Sequence, residues 1–132
     1  MSLALGDGRP IGGDGVSAQK AVVEKYTDGF RRGDLSQILS CLTDDVVWVL
    51  HGAKTLVGKE AFAAEAESGD GPYPELTLDR LIEEGNTVAV VGGSVSLGGE
   101  PVDFVYSEVF TFTGGLVSRL DTFHIWLGEV PE

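Results

Sequence analysis

Beyond Pro74 the chain changes period, and that change restricts its fold more than any other feature. Glu75–Glu84, Thr87–Leu97, Val102–Thr113 and Leu116–Leu127 read as four strands, rich in Val, Thr and aromatic residues. Gly85-Asn86, Gly98-Gly99 and Gly114-Gly115 separate them. Such pairs accept the positive φ of tight hairpin turns, so the four strands form an antiparallel meander. Gly92-Gly93 inside the second strand marks a bend or bulge that curves the sheet.

The first half has a helical period. Ser17 caps a helix to about Arg32, with Val22, Tyr26 and Phe30 recurring every four residues beside Ala18 and Val23. Gly33 stands where a left-handed residue ends such a helix. Asp34 starts a second, short helix, with Gln37 placed as in a capping box. Leu35, Ile38, Leu39 and Leu42 are its buried stripe, Cys41 is a small core residue on it, and Thr43-Asp44-Asp45 ends it. Val46–Leu50 reads as a strand, 52–57 as a loop, and Gly58–Ser68 as a third helix with Phe62 and Ala66 on one face. Gly69–Pro74 is a breaker. Three helices packed on a curved, mostly antiparallel sheet make an α+β fold. Residues 1–15, with five glycines and one proline, read as a flexible tail before a single domain over 16–132.

Composition narrows the partners. Nine Lys+Arg against 21 Asp+Glu give a formal charge of −12. That balance disfavours nucleic acid and anionic membrane surfaces, which need positive charge. The acidity is uneven, with four basic and seventeen acidic groups over 34–132. Apolar runs are too short to span a bilayer, and the start lacks the basic and apolar regions of a signal peptide. One cysteine forms no internal disulfide, and His51 and His124 are too far apart for a metal-ligand motif. No Gly-x-Ser-x-Gly elbow occurs. A cytoplasmic protein without metal or cofactor is the expectation.

The order of elements carries a resemblance. Tyr26-Thr-Asp-Gly-Phe-Arg-Arg-Gly-Asp34, Leu42-Thr-Asp-Asp-Val-Val-Trp48, Gly58-Lys-Glu-Ala-Phe62 and Phe110-Thr-Phe-Thr-Gly-Gly-Leu-Val117 resemble the nuclear transport factor 2-like superfamily. Within it the chain is most similar to the SnoaL-like and ketosteroid isomerase-like branch. The resemblance spans residues 17–127 and implies a cone-shaped α+β barrel around a hydrophobic pocket. It specifies a scaffold, not a reaction.

The parity of the last hairpin decides which residues face that pocket. A two-residue Gly114-Gly115 turn would place Glu108 opposite Asp121. A three-residue Thr113-Gly114-Gly115 loop would place Phe112 opposite Leu116 and align the even-numbered faces. The second avoids a carboxylate pair and is the expected one. Phe104, Tyr106, Glu108, Phe110 and Phe112 then share a face with Leu120, Thr122, His124 and Trp126. A carboxyl among phenylalanines must be hydrogen-bonded or protonated. Plainer readings exist: Glu108 as a rim residue reaching water or as a partner of Arg119 or Arg80, His124 as a core histidine on a backbone carbonyl, Tyr26 as helix-face packing, and His51 as a loop residue outside the pocket.

Residue by residue, the resemblance places Tyr26 where isomerases of this branch carry an oxyanion-binding tyrosine, and Glu108 where they carry a neutral acid. The position of their general base is Leu50, so that route lacks its base here. Thr122 stands where epoxide hydrolases of this scaffold carry a charged residue, and Thr87–Leu97 holds no charge. A polyketide cyclase-like role would use His124 with Glu108 for acid–base work. The leading expectation is a SnoaL-like pocket for a small apolar, carbonyl-bearing ligand. Tyr26 and neutral Glu108 would hold its oxygen and His124 would move a proton. Phe30, Trp48, Leu50, Phe62, Tyr106, Phe110, Leu120 and Thr122 would line it. The alternative is a non-catalytic ligand-binding or dimerisation module. Val105, Val109, Phe123, Ile125 and Leu127 make the other sheet face apolar, so a sheet-to-sheet homodimer is expected.

Overall fold

Helix α1 (Ala18–Arg32) begins where Ser17 accepts a hydrogen bond from the Lys20 N–H at 3.0 Å. It ends at Gly33, whose φ of 67° is left-handed. Arg31 and Arg32 place positive charge in the last turn, where the helix dipole favours it. Asp34 caps α2 (Leu35–Leu39) by accepting from the Gln37 N–H at 3.0 Å. The Gln37 side chain does not return to Asp34 as a capping box would. Its amide donates instead to Lys25 O and Asp28, tying α2 to α1. A Cβ on Gly29 would lie 2.8 Å from Ile38 Cγ1, so glycine sets how closely the two helices approach.

The structure is a computed structural model that describes residues 17–67, 75–97 and 100–126, with side chains over 17–67, 77–91 and 106–125. The expected tail, the Gly69–Pro74 breaker and the Gly98-Gly99 turn lie outside the described residues, as do Leu127 and the side chains of Phe104, Val105 and Trp126.

Strand β1 (Leu42–Leu50) starts earlier than the expected Val46. It runs parallel to β7, and a register shift between Leu42 and Val47 absorbs the Asp-Asp segment that suggested a break. Cys41 is buried in the turn before β1 rather than on α2. The expected loop at 52–57 contains a strand, β2 (Lys54–Val57), antiparallel to β1. Three of its four side chains are exposed, so it carries almost no apolar signal. Helix α3 (Lys59–Glu67) follows and buries Phe62.

The expected strand Glu75–Glu84 is two strands, β3 (Glu75–Leu76) and β4 (Arg80–Glu84), both antiparallel to β5 (Thr87–Leu97). Beyond β5 come β6 (Glu100–Thr113) and β7 (Leu116–Trp126). Strand order is β2-β1-β7-β6-β5-β3, with β4 also on β5. A register shift between Val90 and Gly93 matches the bend expected at Gly92-Gly93. No pairing joins β2 to β3 or β4 among the described residues, so the curved sheet is open and not a closed barrel.

The last hairpin also departs from expectation. Its turn is the two-residue Gly114-Gly115, with φ of 60° and 86° and Thr113 opposite Leu116. Positive φ at both positions matches the right-handed twist of the flanking strands. Phe112 then faces Val117, but Thr111 faces Arg119, so Ser118 is an extra residue on β7. Its hydroxyl accepts from Thr113 Oγ1 at 2.8 Å and donates to Thr111 O at 3.3 Å. This bulge restores even-to-even alignment, and Glu108 stands opposite Thr122. The expected parity is present; a bulge produces it, not a three-residue loop.

Candidate functional site

The even face of β6 and β7 meets the helices in the core. Val88 and Val90 of β5, Phe110 of β6, Leu120 of β7, Phe62 of α3 and Val23 of α1 are fully buried there. Glu108 sits in this layer at 7% exposure. Thr122 Oγ1 donates to Glu108 Oε2 at 2.9 Å. The same oxygen accepts from Trp48 Nε1, also at 2.9 Å. Burial pushes the Glu108 carboxyl up to about 7, and the Thr122 hydrogen bond pulls against that rise. Neither arginine considered as its partner reaches it. Arg119 holds Asp121 through two 3.0 Å hydrogen bonds on the opposite face, and Arg80 pairs with Val91 on that outer face too.

Tyr26 lies against this layer from α1 at 2% exposure. Its ring packs on Phe30, Phe62 and Phe110 at centroid distances of 5.1, 6.2 and 5.2 Å. Trp48 stacks on Phe62 at 4.2 Å. Among the described residues the Tyr26 hydroxyl has no hydrogen-bond partner. Burial, and next the Glu108 charge, hold its pKa well above the usual tyrosine range, so it stays a neutral donor. Tyr106 is buried as well, but its hydroxyl is spent on Thr77 O at 3.0 Å. Burial raises its pKa further.

Leu50 is partly buried opposite Thr122, and Leu120 lies opposite Trp48, so the β1 end of the face is apolar as expected. The fold therefore gathers Tyr26, Phe30, Trp48, Leu50, Phe62, Tyr106, Glu108, Phe110, Leu120 and Thr122 around one interior. His124 stands apart. It shares the face, opposite Tyr106, but its side chain is exposed, and partial desolvation lowers its pKa. His51 is outside the interior, as expected. Its N–H donates to Thr122 O at 3.0 Å, its ring stacks on Phe123 at 4.2 Å, and Nε2 lies 2.9 Å from Asp121 Oδ1.

A cleft of about 80 Å³ opens beside Phe30, between the ends of α1 and α3 and helix α2, lined by Gly33, Leu35, Ile38, Ala66 and Glu67. Among the described residues no three His, Cys, Asp or Glu side chains converge as a metal site requires. No described helix is long and apolar enough to cross a membrane. Chemically, the interior offers one unpartnered O–H donor, one carboxyl poised near neutrality and aromatic walls. The hydrogen-bond chain from Trp48 through Thr122 is the part sequence reasoning missed. Both residues were expected as wall, and only the strand register reveals that they bond to each other.

Comparison with solved structures supports the fold. A protein from Kribbella flavida, provisionally called a ketosteroid isomerase, is 25% identical with a TM-score of 0.75, over 87% of this chain and 83% of that one. An LEH-like epoxide hydrolase from M. tuberculosis is 19% identical with a TM-score of 0.70, over 81% of this chain and 82% of that one. A protein from Jannaschia, provisionally called a SnoaL-like polyketide cyclase, is 19% identical with a TM-score of 0.70, over 81% of this chain and 85% of that one. No curated protein matches the chain. The family model described as the SnoaL-like domain matches residues 23–120, which is most of the chain. The open α+β sheet, the buried even face and this match agree: the chain belongs to the SnoaL-like domain family.

Proposed function

We propose that this protein binds a small apolar, carbonyl-bearing molecule and catalyses proton transfer at the carbon beside the carbonyl, as in isomerisation or aldol-type cyclisation. The observation that carries the reading is the Tyr26 hydroxyl, buried at 2% exposure with no partner among the described residues. A buried donor left unmade is costly, and a ligand oxygen would satisfy it. Tyr26 is the donor to that oxygen and Glu108 supplies the buried acid–base group. His124, at the exposed end of the same face, exchanges protons with water. The names given to the Kribbella and Jannaschia proteins fall in the same reaction class.

The test is deuterium uptake from D2O into the α-carbons of cyclohexanone and 2-decalone, followed by NMR. Uptake above the buffer rate is expected, with loss in Tyr26→Phe and Glu108→Gln and a marked decrease in His124→Ala. Uptake at the buffer rate with both ketones counts against it.

Leu50 at the isomerase base position favours a second reading, ligand binding without chemistry. Thermal stabilisation by the same ketones that persists in a Glu108→Gln/His124→Ala double variant, with no deuterium uptake by the unsubstituted protein, would select it. In either case the outer sheet face is the surface for a second copy of the chain. Val57, Val91, Phe123 and Ile125 are exposed on it, Val57 at 67% and Ile125 at 53%.

A further inference from the structure

Resting on the proton-transfer reading of this interior, we infer that Trp48 and Thr122 are positioning residues whose directed hydrogen-bond chain makes the Glu108 carboxylate the proton acceptor of the site, leaving Tyr26 as donor to the substrate oxygen.

The chain has a direction because one of its members cannot reverse. An indole N–H only donates. Thr122 Oγ1, 2.9 Å from Trp48 Nε1, must therefore accept there. A hydroxyl has one hydrogen, and the 2.9 Å contact to Glu108 Oε2 takes it. Oε2 is thus an acceptor. A glutamic acid with its proton on Oε2 would aim a second donor at Thr122 Oγ1 and strand the threonine hydrogen, at a residue only 4% exposed. The geometry keeps a proton off Oε2, which cannot serve as a second oxyanion donor, and leaves Oε1 as the atom that gains or loses it; the Thr122 hydrogen bond supports the ionised form against burial, because an anion accepts more strongly than a neutral carbonyl.

The surroundings leave this chain as the support for the anion. Val90, opposite on β5, and Leu81 of β4 are apolar, as are Leu120 of β7 and Phe62 of α3. Tyr26 of α1 and Tyr106 of β6 are the titratable neighbours coupled to Glu108, and burial keeps both neutral. His124 lies farther along β7, opposite Tyr106. Among the described residues no Lys or Arg offsets the burial of the carboxyl.

The step follows. Glu108 Oε1 takes the proton from the carbon beside the substrate carbonyl. The C–H electron pair forms a C=C bond, and the C=O π pair moves to oxygen, where the enolate accepts the Tyr26 O–H. Oε2 keeps its Thr122 hydrogen bond throughout. The proton then passes from Oε1 to another carbon of the same molecule in isomerisation. In aldol closure the enolate carbon bonds to a second carbonyl carbon, and the new alkoxide oxygen takes the proton.

The test needs no ligand. Glutamate 13C-carboxyl NMR follows each midpoint, with Glu108 identified by the resonance missing in Glu108→Gln. The Glu108 midpoint is expected near 7. In Thr122→Val it should rise by about one pH unit or more, because the anion loses its donor. Thr122→Ser should restore it, and Trp48→Phe should raise it by a smaller amount. A midpoint that stays or falls in folded Thr122→Val overturns the inference. If that variant does not fold, an unmoved midpoint in Trp48→Phe overturns it. A shifted midpoint without deuterium uptake into either ketone supports the chain and removes the reaction. Uptake with an unmoved midpoint keeps the reaction and removes the chain.

Discussion

Glu108 and Thr122 face each other across β6 and β7, and the 2.9 Å hydrogen bond from Thr122 is the polar support of a carboxyl set among aromatic rings. Folding moves that carboxyl from its ordinary 4.5 to about 7. Between these values the folded chain holds a proton the unfolded chain has released. The contribution to stability is full below pH 4.5, is lost as pH rises through 7, and is then constant. The loss is on the order of 3 kcal/mol. Glu108→Gln keeps an acceptor for Thr122 and should flatten the curve. Urea denaturation of both proteins from pH 4 to 9 should give curves that diverge toward high pH; parallel curves would refute the burial of a titrating acid.

Tyr26→Phe keeps the ring among Phe30, Phe62 and Phe110 and removes only the unpartnered hydroxyl. A buried polar group without a partner costs about 1–3 kcal/mol. The variant should therefore be as stable as the parent or more stable by about 1 kcal/mol, while losing deuterium uptake. Thermal denaturation beside the exchange assay checks both. A large drop in stability would mean that the hydroxyl has a structural partner.

Gly29→Ala sets two effects against each other. Alanine favours the helix by about 1 kcal/mol. Its Cβ, however, would meet Ile38 Cγ1 at 2.8 Å and the Asp34 carbonyl and Ile38 N at 3.3 Å. Overpacking of this kind costs about 1–3 kcal/mol, and two of the three contacts are backbone. Net destabilisation is expected, as a lower urea midpoint with unchanged slope. A higher midpoint would show that α2 moves away freely.

The outer face predicts an assembly. Ile125→Lys puts charge at a 53% exposed position and should not disturb the core. Light scattering at micromolar concentration should give a dimer for the parent and a monomer for the variant. A monomeric parent would leave that face without a second copy.

Helix ends were legible because their signals are local. Ser17, Gly33 and Asp34 act through bonds to residues within a turn or two, and all three sit where the pattern placed them. Strand β2 was not legible because Lys54, Thr55 and Val57 face water and its pairing with β1 has no local trace. The membership of the even face was readable from alternation, and Glu108 among aromatics with it. Its actual partner was not. Whether Thr122 or Asp121 meets Glu108 depends on one extra residue near the turn, which hydrophobic pattern does not record. The exposure of His124 was equally hidden, since alternation assigns a face but not a depth.

Ser118 gives that last dependence a wider consequence. Were it paired opposite Thr111 instead of bulged out, the Gly114-Gly115 register would run on unbroken, and every β7 residue beyond it would change sides. Asp121 would then meet Glu108 and Arg119 would meet Phe110, while Thr122 and Leu120 turned to the outside. Deleting Ser118, by contrast, would join Val117 to Arg119 and keep every present pairing. On this scaffold one residue held out of the ladder decides whether a hydroxyl and a leucine or a carboxylate and a guanidinium face the interior, with no side chain substituted.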